Sequence, residues 1–331
     1  MAQRTRTILA GDVGGTKTNL GLFEAGPPPR LVRLETLSSR AFETFEDMLA
    51  AFLPAGGPAV AAAAFGIAGP VRGGVADPTN LAWIVDAARL AARLGLATVT
   101  LLNDLEATAW ALGALGADGA AVLLEGAPGA TGNQAIIAAG TGLGEAMLLR
   151  EGGRSTPIAS EAGHADFAPH TDLEVELLRH LRKRFGRVSF ERVLSGPGLL
   201  NVYEFLRDSR GGEEPRWLSE ALAQGDPAAA ISRAAQEGRS ETCVRALDLF
   251  AGAYGAEAGN LALRALATGG VFLGGGIAPK ILPWLRGESF RRGFLDKGRL
   301  SGIVEATPVK VILDEKAALA GAARRAAEDL R

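Results

Sequence analysis

The sequence predicts an α/β protein of two domains, and three observations support that class. Short apolar runs typical of covered strands alternate with segments of helical periodicity. One pattern, an apolar strand, a turn of glycine and threonine and a second strand, occurs twice, at residues 8–22 and 134–148. A glycine-rich stretch from Gly113 to Gly132 separates the two copies and predicts a domain junction.

In the first half, strand and helix patterns follow the first hairpin in regular order. Apolar residues at helical spacing, from Phe42 to Phe52, predict a helix over residues 41–52. The continuous apolar run at residues 60–67 predicts a strand covered on both faces. The other elements predicted in this half are an edge strand (31–37), a helix (86–94), a strand (97–102) and a helix (105–115).

The second half begins with the second hairpin and is richer in helices. An apolar stripe predicts a core helix over residues 241–266, which contains Cys243. The other elements predicted here are helices over 171–183, 198–206 and 316–329 and strands over 271–273 and 309–313.

Composition favours a folded cytoplasmic protein that binds neither nucleic acid nor membrane. Of the 331 residues, 47% are hydrophobic and 22% charged, and the net charge of −2 lacks the basic excess of nucleic-acid binders. The single cysteine, Cys243, can form neither an internal disulfide nor a cysteine-based zinc site. The N-terminus runs straight into a strand without a visible signal peptide. The uncharged run Pro58–Val71 is shorter than the roughly 20 residues of a membrane span.

The turn of each hairpin is a candidate phosphate site. A turn of glycine and threonine points backbone N–H groups and a hydroxyl into a concavity that suits a phosphate. Either turn alone could be an ordinary glycine-rich β-turn, but two copies at corresponding places favour a shared polyphosphate ligand. The candidate residues are Gly11, Asp12, Val13, Gly14, Gly15 and Thr16 in the first turn and Gly140, Thr141 and Gly142 in the second.

Neither turn is a Walker A motif, because the chain contains no glycine-lysine pair followed by serine or threonine, and Gly15-Thr16-Lys17-Thr18 has the wrong order. ATP, if bound, is therefore bound outside the P-loop class. A third glycine group, Gly274-Gly275-Gly276, follows a strand and either lets a ribose or flat ring approach the backbone or forms a flexible turn. We expect no direct protein ligand to a metal; Asp12 can contact a phosphate-bound Mg²⁺ through water.

Asn103 and Asp104 follow the strand predicted over residues 97–102, at the sheet edge where α/β proteins bind ligands. A carboxylate there can accept a proton from a substrate hydroxyl, and the neighbouring amide can orient that hydroxyl. The pair can also cap the next helix, since Asn and Asp are preferred N-caps. In that position the helix dipole is expected to lower the pKa of the carboxyl group.

Further polar residues that suit a sugar lie in the second half. Glu161 and His164 belong to a polar segment, Ser160–Asp166, and Glu191 precedes a glycine-rich turn. A carboxylate can accept hydrogen bonds from two adjacent hydroxyls. A lone histidine is more often structural, and an isolated glutamate more often a surface charge.

Together and in this order, the motifs resemble the bacterial glucokinases of the hexokinase/actin-like ATPase superfamily. The resemblance extends over nearly the whole chain. The matching segments are Gly11–Thr16 and Gly140–Gly144 for the two phosphate loops, Phe65–Val71 and Thr79–Trp83 for a sugar-domain strand and its following loop, Leu102–Ala107 for the segment with the catalytic aspartate, Glu161–His164 and Glu191–Gly196 for sugar-binding segments, and Gly274–Ile277 for the adenosine loop.

The resemblance implies a two-lobed actin-like ATPase (ribonuclease H-like) fold with an interlobe cleft. The smaller lobe would hold residues 1–112, with the terminal helix (314–331) packed on it, and the larger lobe residues 113–313. It implies ATP-dependent phosphorylation of D-glucose at O6, with Mg²⁺, in a cytoplasmic homodimer. The residues implied to bind glucose are Asn103, Asp104, Glu161, His164 and Glu191, with Asp104 as the general base.

Three departures and absences bear on this interpretation. Lys17 stands where many relatives carry asparagine, and it either reaches a phosphate or lies at the edge of the turn. The cysteine-rich zinc motif of the related repressor/kinase group is missing near His164, and so is an N-terminal DNA-binding extension. Both absences favour an enzyme. The alternatives are a kinase for mannose, fructose or an N-acetylhexosamine, and a sugar sensor or filament-forming relative without catalysis.

Overall fold

The computed structural model describes residues 6–53, 57–78, 81, 83–152, 154–211 and 214–330. The strands are β1 (Thr7–Val13), β2 (Lys17–Glu24), β3 (Arg30–Ser38), β4 (Val60–Ile67), β5 (Val71–Arg72), β6 (Val75–Ala76), β7 (Val85–Asp86), β8 (Thr100–Asn103), β9 (Ala120–Leu124), β10 (Gln134–Ala139), β11 (Leu143–Glu151), β12 (Arg154–Ser160), β13 (Gly270–Gly274) and β14 (Val309–Ile312). The helices are α1 (Phe45–Phe52), α2 (Ala87–Leu94), α3 (Asp104–Ala111), α4 (Asp172–Phe185), α5 (Gly196–Arg210), α6 (Arg216–Gln224), α7 (Pro227–Gln236), α8 (Glu241–Ala265), α9 (Leu282–Leu285), α10 (Glu288–Leu295), α11 (Ser301–Glu305) and α12 (Ala317–Glu328).

The chain forms two compact units. The first contains the described residues of Met1–Gly119, Gly153–Ala159 and Asp314–Arg331. The second contains those of Ala120–Gly152 and Ser160–Leu313.

The first unit is built on a five-stranded sheet in the order β3-β2-β1-β4-β8. Strand β1 is antiparallel to β2 and parallel to β4, which is in turn parallel to β8. Apolar residues of β1 alternate between the two faces of the sheet. Leu9 packs in a cluster with Phe45 of α1, and Ile8 packs in another with Leu319 and Ala323 of α12. Both faces are covered, as the continuous apolar run in β4 predicts.

The terminal helix α12 also lies very close to α3. A Cβ atom added at Gly321 would lie 1.7 Å from the carbonyl oxygen of Ala107, so the two backbones can approach only because this residue has no side chain. Helix α12 therefore packs directly against α3, the helix that begins at Asp104.

The second unit repeats the strand pairing of the first. Its sheet contains, in order, β11, β10, β13, β14 and β9. Strand β10 is antiparallel to β11 and parallel to β13, as β1 is to β2 and β4. The sequence repeat therefore corresponds to a repeated structural unit. The long helix α8 packs on this sheet, and the hydroxyl of its buried Tyr254 donates to the carbonyl of Ile137, 3.2 Å away. Cys243, near the start of α8, is buried.

Three predicted helices differ from the structure by four residues at one end; one of them, predicted over 198–206, extends to Arg210 as α5. The helix predicted over 41–52 begins only at Phe45, because the side chain of Thr44 accepts the N–H of Asp47 and caps it there. The helix predicted over 105–115 ends at Ala111 and continues as a 3₁₀ turn, Leu112–Ala114. In the described ranges, none of the helices combines the length and apolar character needed to cross a membrane.

Candidate active site

Parallel strands bring Asp12 and Asp104 to one edge of the first sheet. In the register of β1, β4 and β8, Val13 pairs with Ile67 and Ile67 pairs with Asn103. Asp12 lies one residue before this row and Asp104 one residue after it. Repulsion by Asp104 contributes to raising the pKa of Asp12, after burial, which is the larger cause.

Asp12 is held from the side by Asn19, which Thr36 holds in turn, and the sequence revealed neither residue. Asn19 faces Asp12 across the hairpin and donates its Nδ2–H to Oδ2 over 3.4 Å. Thr36 faces Asn19 across the next pair of strands, and its hydroxyl donates to Oδ1 of Asn19 over 2.8 Å. A residue-by-residue pairing of the two strands of the first hairpin across their turn would have placed Asn19 opposite Asp12.

The side chains of Asn103 and Asp104 both accept the N–H of Leu105, in the first turn of helix α3. The backbone N–H of Leu105 lies 2.9 Å from Oδ1 of Asn103 and 2.8 Å from Oδ1 of Asp104. Asn103 is the N-cap, and its Nδ2 donates to the carbonyl of Gly69 over 3.2 Å. Both side chains are thus fixed at the helix start, where they combine the capping role with a position suited to substrate contact.

The expected lowering of the pKa of Asp104 is wrong. Burial of the carboxyl raises its pKa above 3.8, and this outweighs the hydrogen bonds from the backbone of Leu105 and Asp104 and the side chain of Asn103. A carboxylate with a raised pKa is a stronger base.

A buried serine supports the first glycine loop, which we define as Gly11–Thr16. The Ser39 hydroxyl lies 2.6 Å from the carbonyl of Gly14, and the backbone N–H of Ser39 donates to the carbonyl of Thr16. The hydroxyl of Thr18 lies 2.9 Å from that of Ser39. Lys17 is exposed at the start of β2, and its charge opposes the rise in the pKa of Asp12. Ser39 lies 25 residues after Gly14, and no motif in the sequence indicated it.

The second glycine loop, Gly140–Gly142, is joined to both predicted sugar segments of its unit. The N–H of Gly196 donates to the carbonyl of Gly140 over 2.8 Å. The N–H of Leu143, directly after the loop, donates to Oε2 of Glu191 over 3.0 Å. A Cβ at Gly163 would lie 2.0 Å from the carbonyl oxygen of Leu143, so the 161–164 segment lies against the same residue.

His164 and Glu191 are brought together, whereas Glu161 is left open. Nδ1 of His164 lies 3.8 Å from Oε1 of Glu191. Glu161 is exposed at the start of a 3₁₀ turn, and its side chain has no partner in the described part of the chain. Its two carboxylate oxygens are therefore available to a ligand.

The third glycine group lies beside the second loop. Strands β10 and β13 are parallel, with Ala138 paired to Gly274, so both loops leave the same edge of the sheet. Gly275 has a positive φ of 79°, and a Cβ there would lie 2.3 Å from the carbonyl oxygen of Ala139. Gly276 has open space around it. Glycine at 275 is thus required by backbone packing, and the open side of Gly276 leaves room for a ligand.

One predicted segment is only partly visible. Thr79, Asn80 and Ala82 lie outside the described residues. Trp83 is buried, and its Nε1–H donates to the carbonyl of Phe42 over 3.1 Å. Among the described residues, no group of three or more His, Cys, Asp and Glu side chains is arranged to hold a metal ion.

Comparisons of sequence and of structure with known proteins point to one family. The family model described as Glucokinase matches residues 9–329. A glucokinase from Synechocystis sp. is 42% identical over 347 residues, covering 97% of this chain and 98% of the relative. The crystal structure of a glucokinase from an Antarctic psychrotroph has a TM-score of 0.88 at 30% identity and covers 98% of this chain and 100% of its own.

A more distant structure shares the fold alone. The ROK family glucokinase from Streptomyces griseus, solved in complex with glucose and AMPPNP, has a TM-score of 0.62 at 24% identity, covering 97% of this chain and 99% of its own. These structural likenesses confirm the predicted actin-like ATPase fold class. With the family model and the close relatives in agreement over nearly the full length, the chain belongs to the glucokinase family.

Proposed function

We propose that this protein transfers the γ-phosphoryl group of ATP to O6 of D-glucose, with Asp104 as the general base. The observation that carries the proposal is the placement of Asp104. It is a partly buried carboxyl at the carboxyl edge of a parallel sheet, fixed at a helix N-terminus, with a raised pKa. Family membership supplies the substrate class, since the relatives matched over nearly the full length are glucokinases.

In this mechanism Asp104 accepts the proton of the C6 hydroxyl as its oxygen attacks the γ-phosphorus in line. Asn103 orients that hydroxyl. One N–H of its amide is engaged by Gly69, and the other can donate to the sugar. The capping bond to Leu105 holds the amide still, which keeps the attacking oxygen aligned.

The remaining sugar contacts are assigned to Glu161, His164 and Glu191. The two free oxygens of Glu161 suit a pair of adjacent hydroxyls. The close approach of His164 to Glu191 gives the sugar a donor and an acceptor side by side.

The glycine loops are assigned to ATP, with Gly11–Thr16 and Gly140–Gly142 at the phosphates and Gly274–Gly276 at the adenosine. Their backbone N–H groups can stabilise the charge on the transferring oxygens. Mg²⁺ fits the first unit, because Asp12 and Asp104 repel each other and hard oxygen ligands suit this ion. Asp12 would hold it through water. When bound, the ion neutralises phosphate charge.

A coupled ADP-release assay over a panel of sugars tests the proposal. We expect kcat/KM to be highest for glucose and lower for mannose, fructose, N-acetylglucosamine and N-acetylmannosamine. ATP turnover with an N-acetyl sugar in preference to glucose would contradict the assignment, and so would sugar binding without any ADP release.

The cytoplasmic location and the homodimer are further proposals, drawn from the family resemblance. Light scattering after size-exclusion chromatography would decide the second. We expect a mass of about twice the 34.2 kDa of the chain, and a mass equal to that of the monomer would contradict it.

A further inference from the structure

We propose that Gly142 is a positioning residue for Glu191, whose carboxylate is assigned to glucose binding. The second glycine loop then controls glucose affinity as well as phosphate binding. The inference rests on the proposed function, because it takes Glu191 as a glucose ligand. It adds a role for Gly142 that phosphate binding does not require.

The contact between the loop and Glu191 is both a hydrogen bond and a close approach. Oε2 of Glu191 accepts the N–H of Leu143 over 3.0 Å, while Oε1 faces His164. A Cβ added at Gly142 would lie 2.6 Å from Oε2 and 3.5 Å from Cδ of Glu191. The carboxylate therefore occupies the space that a side chain at position 142 would fill.

The backbone of Glu191 has little freedom to move away. Its carbonyl accepts the Ser195 hydroxyl over 2.7 Å, and a Cβ at Gly198 would lie 3.0 Å from the same oxygen. Ser195 in turn caps helix α5 through the N–H of Gly198. A methyl group at position 142 would thus displace the flexible end of the side chain, which is the carboxylate itself. The expected damage falls on ligand binding and spares the fold.

Gly140 provides a matched control in the same loop. A Cβ at Gly140 meets nothing within 4 Å, and neither glycine has a positive φ. Alanine at either position adds one methyl group to the loop, but only at position 142 does that group meet Glu191.

Isothermal titration with glucose in the absence of ATP tests the coupling. We expect Gly142→Ala to weaken glucose binding on the order of 10-fold, equivalent to about 1.4 kcal/mol. Gly140→Ala should change it less than about 2-fold, which corresponds to about 0.4 kcal/mol. Circular dichroism and Tm check that both variants are folded. Glucose affinity of folded Gly142→Ala equal to that of the unsubstituted protein would overturn the inference, and so would equal losses in the two variants.

The reciprocal arm uses a non-hydrolysable ATP analogue with Mg²⁺ and no sugar. Glu191→Ala removes the acceptor of the Leu143 N–H and should weaken analogue binding, whereas Glu161→Ala, whose side chain does not contact the loop, should not. Equal analogue affinity in the two variants would also overturn the inference. Failure of the unsubstituted protein to bind or phosphorylate glucose would instead contradict the proposed function, so the two failures are distinguishable.

Discussion

Asp104 lies close enough to Asp12 that repulsion between the two carboxylates adds to the larger effect of burial in raising the pKa of Asp12. Strands β1 and β8 end at the same sheet edge and bring together two residues that are distant in the sequence. Like charges held close are costly unless a proton or a cation relieves them. This edge is therefore suited to taking up a proton or to holding a cation.

Removal of the proposed base should abolish most turnover while the fold remains. We expect Asp104→Asn to lower kcat on the order of 10²–10⁴-fold, because the amide cannot accept the proton of the C6 hydroxyl. Glucose binding measured by titration should persist, since the amide oxygen can still accept the Leu105 N–H. Normal turnover by this variant would mean that Asp104 is not the base.

The pH dependence of catalysis should reflect the partial burial of Asp104. The base is active only when ionised, so kcat/KM for glucose should fall as the pH decreases through the pKa of this carboxyl. Burial raises that pKa above 3.8, and we expect the acidic limb of the profile at a pH higher than an exposed aspartate would give. The residual activity of Asp104→Asn should lack this limb. A midpoint at or below 3.8 in the unsubstituted protein would contradict the expectation.

Glu161 should affect sugar binding more than turnover. Glu161→Gln keeps the size of the side chain but loses one acceptor, so the KM for glucose should rise while kcat changes less. Asp166→Asn is a suitable control, because Asp166 lies in the same segment but forms an exposed ion pair with Arg187. Steady-state kinetics of both variants check the prediction, and an unchanged KM in Glu161→Gln would remove this residue from the sugar site.

A buried acid pair should make stability fall as the pH rises. Glu145 of β11 and Glu257 of α8 are both fully buried, and Arg264 contacts Glu257. Burial, followed by the charge of Glu257, raises the pKa of Glu145 from 4.5 to about 8. Between these values the unfolded chain has already lost a proton that the folded chain retains. The free energy of unfolding therefore decreases with pH across this interval and levels off above it.

Glu145→Gln should remove that loss, because an amide does not ionise. We expect the variant to gain stability relative to the unsubstituted protein as the pH is raised from about 5 to about 8.5, measured by urea unfolding at each pH. Glu151→Gln, at the exposed end of the same strand, should show no such trend. A stability difference that stays constant with pH would show that Glu145 does not retain its proton in the folded protein.

The contact between α12 and α3 should make Gly321 intolerant of a side chain. Gly321→Ala places a methyl group against the Ala107 carbonyl, so we expect a loss of about 1–3 kcal/mol in the free energy of unfolding. Gly302→Ala in helix α11, where a Cβ meets nothing within 4 Å, should instead stabilise by about 0.5–1 kcal/mol. Chemical denaturation of both variants checks the opposite signs, and stabilisation by Gly321→Ala would show that the helices can separate without cost.

The sequence alone determined the α/β class, the repeated hairpins and the position of Asn103 and Asp104 after a buried strand. These features depend on local patterns, namely apolar periodicity and the placement of glycine, which are present in the order of the residues. The family resemblance, carried by the same local motifs, predicted the enzyme class that the comparisons confirm.

Tertiary structure alone decided which residues support those motifs. Strand register placed Asn19 beside Asp12 and Thr36 beside Asn19, and the turn after β3 brought Ser39 against the first glycine loop. Burial reversed the expected direction of the Asp104 pKa, because the cost of desolvating a charge outweighed the local hydrogen bonds. The bond between Leu143 and Glu191 joins residues 48 positions apart. Contacts of this kind depend on how distant segments pack, and periodicity within one segment carries no information about them.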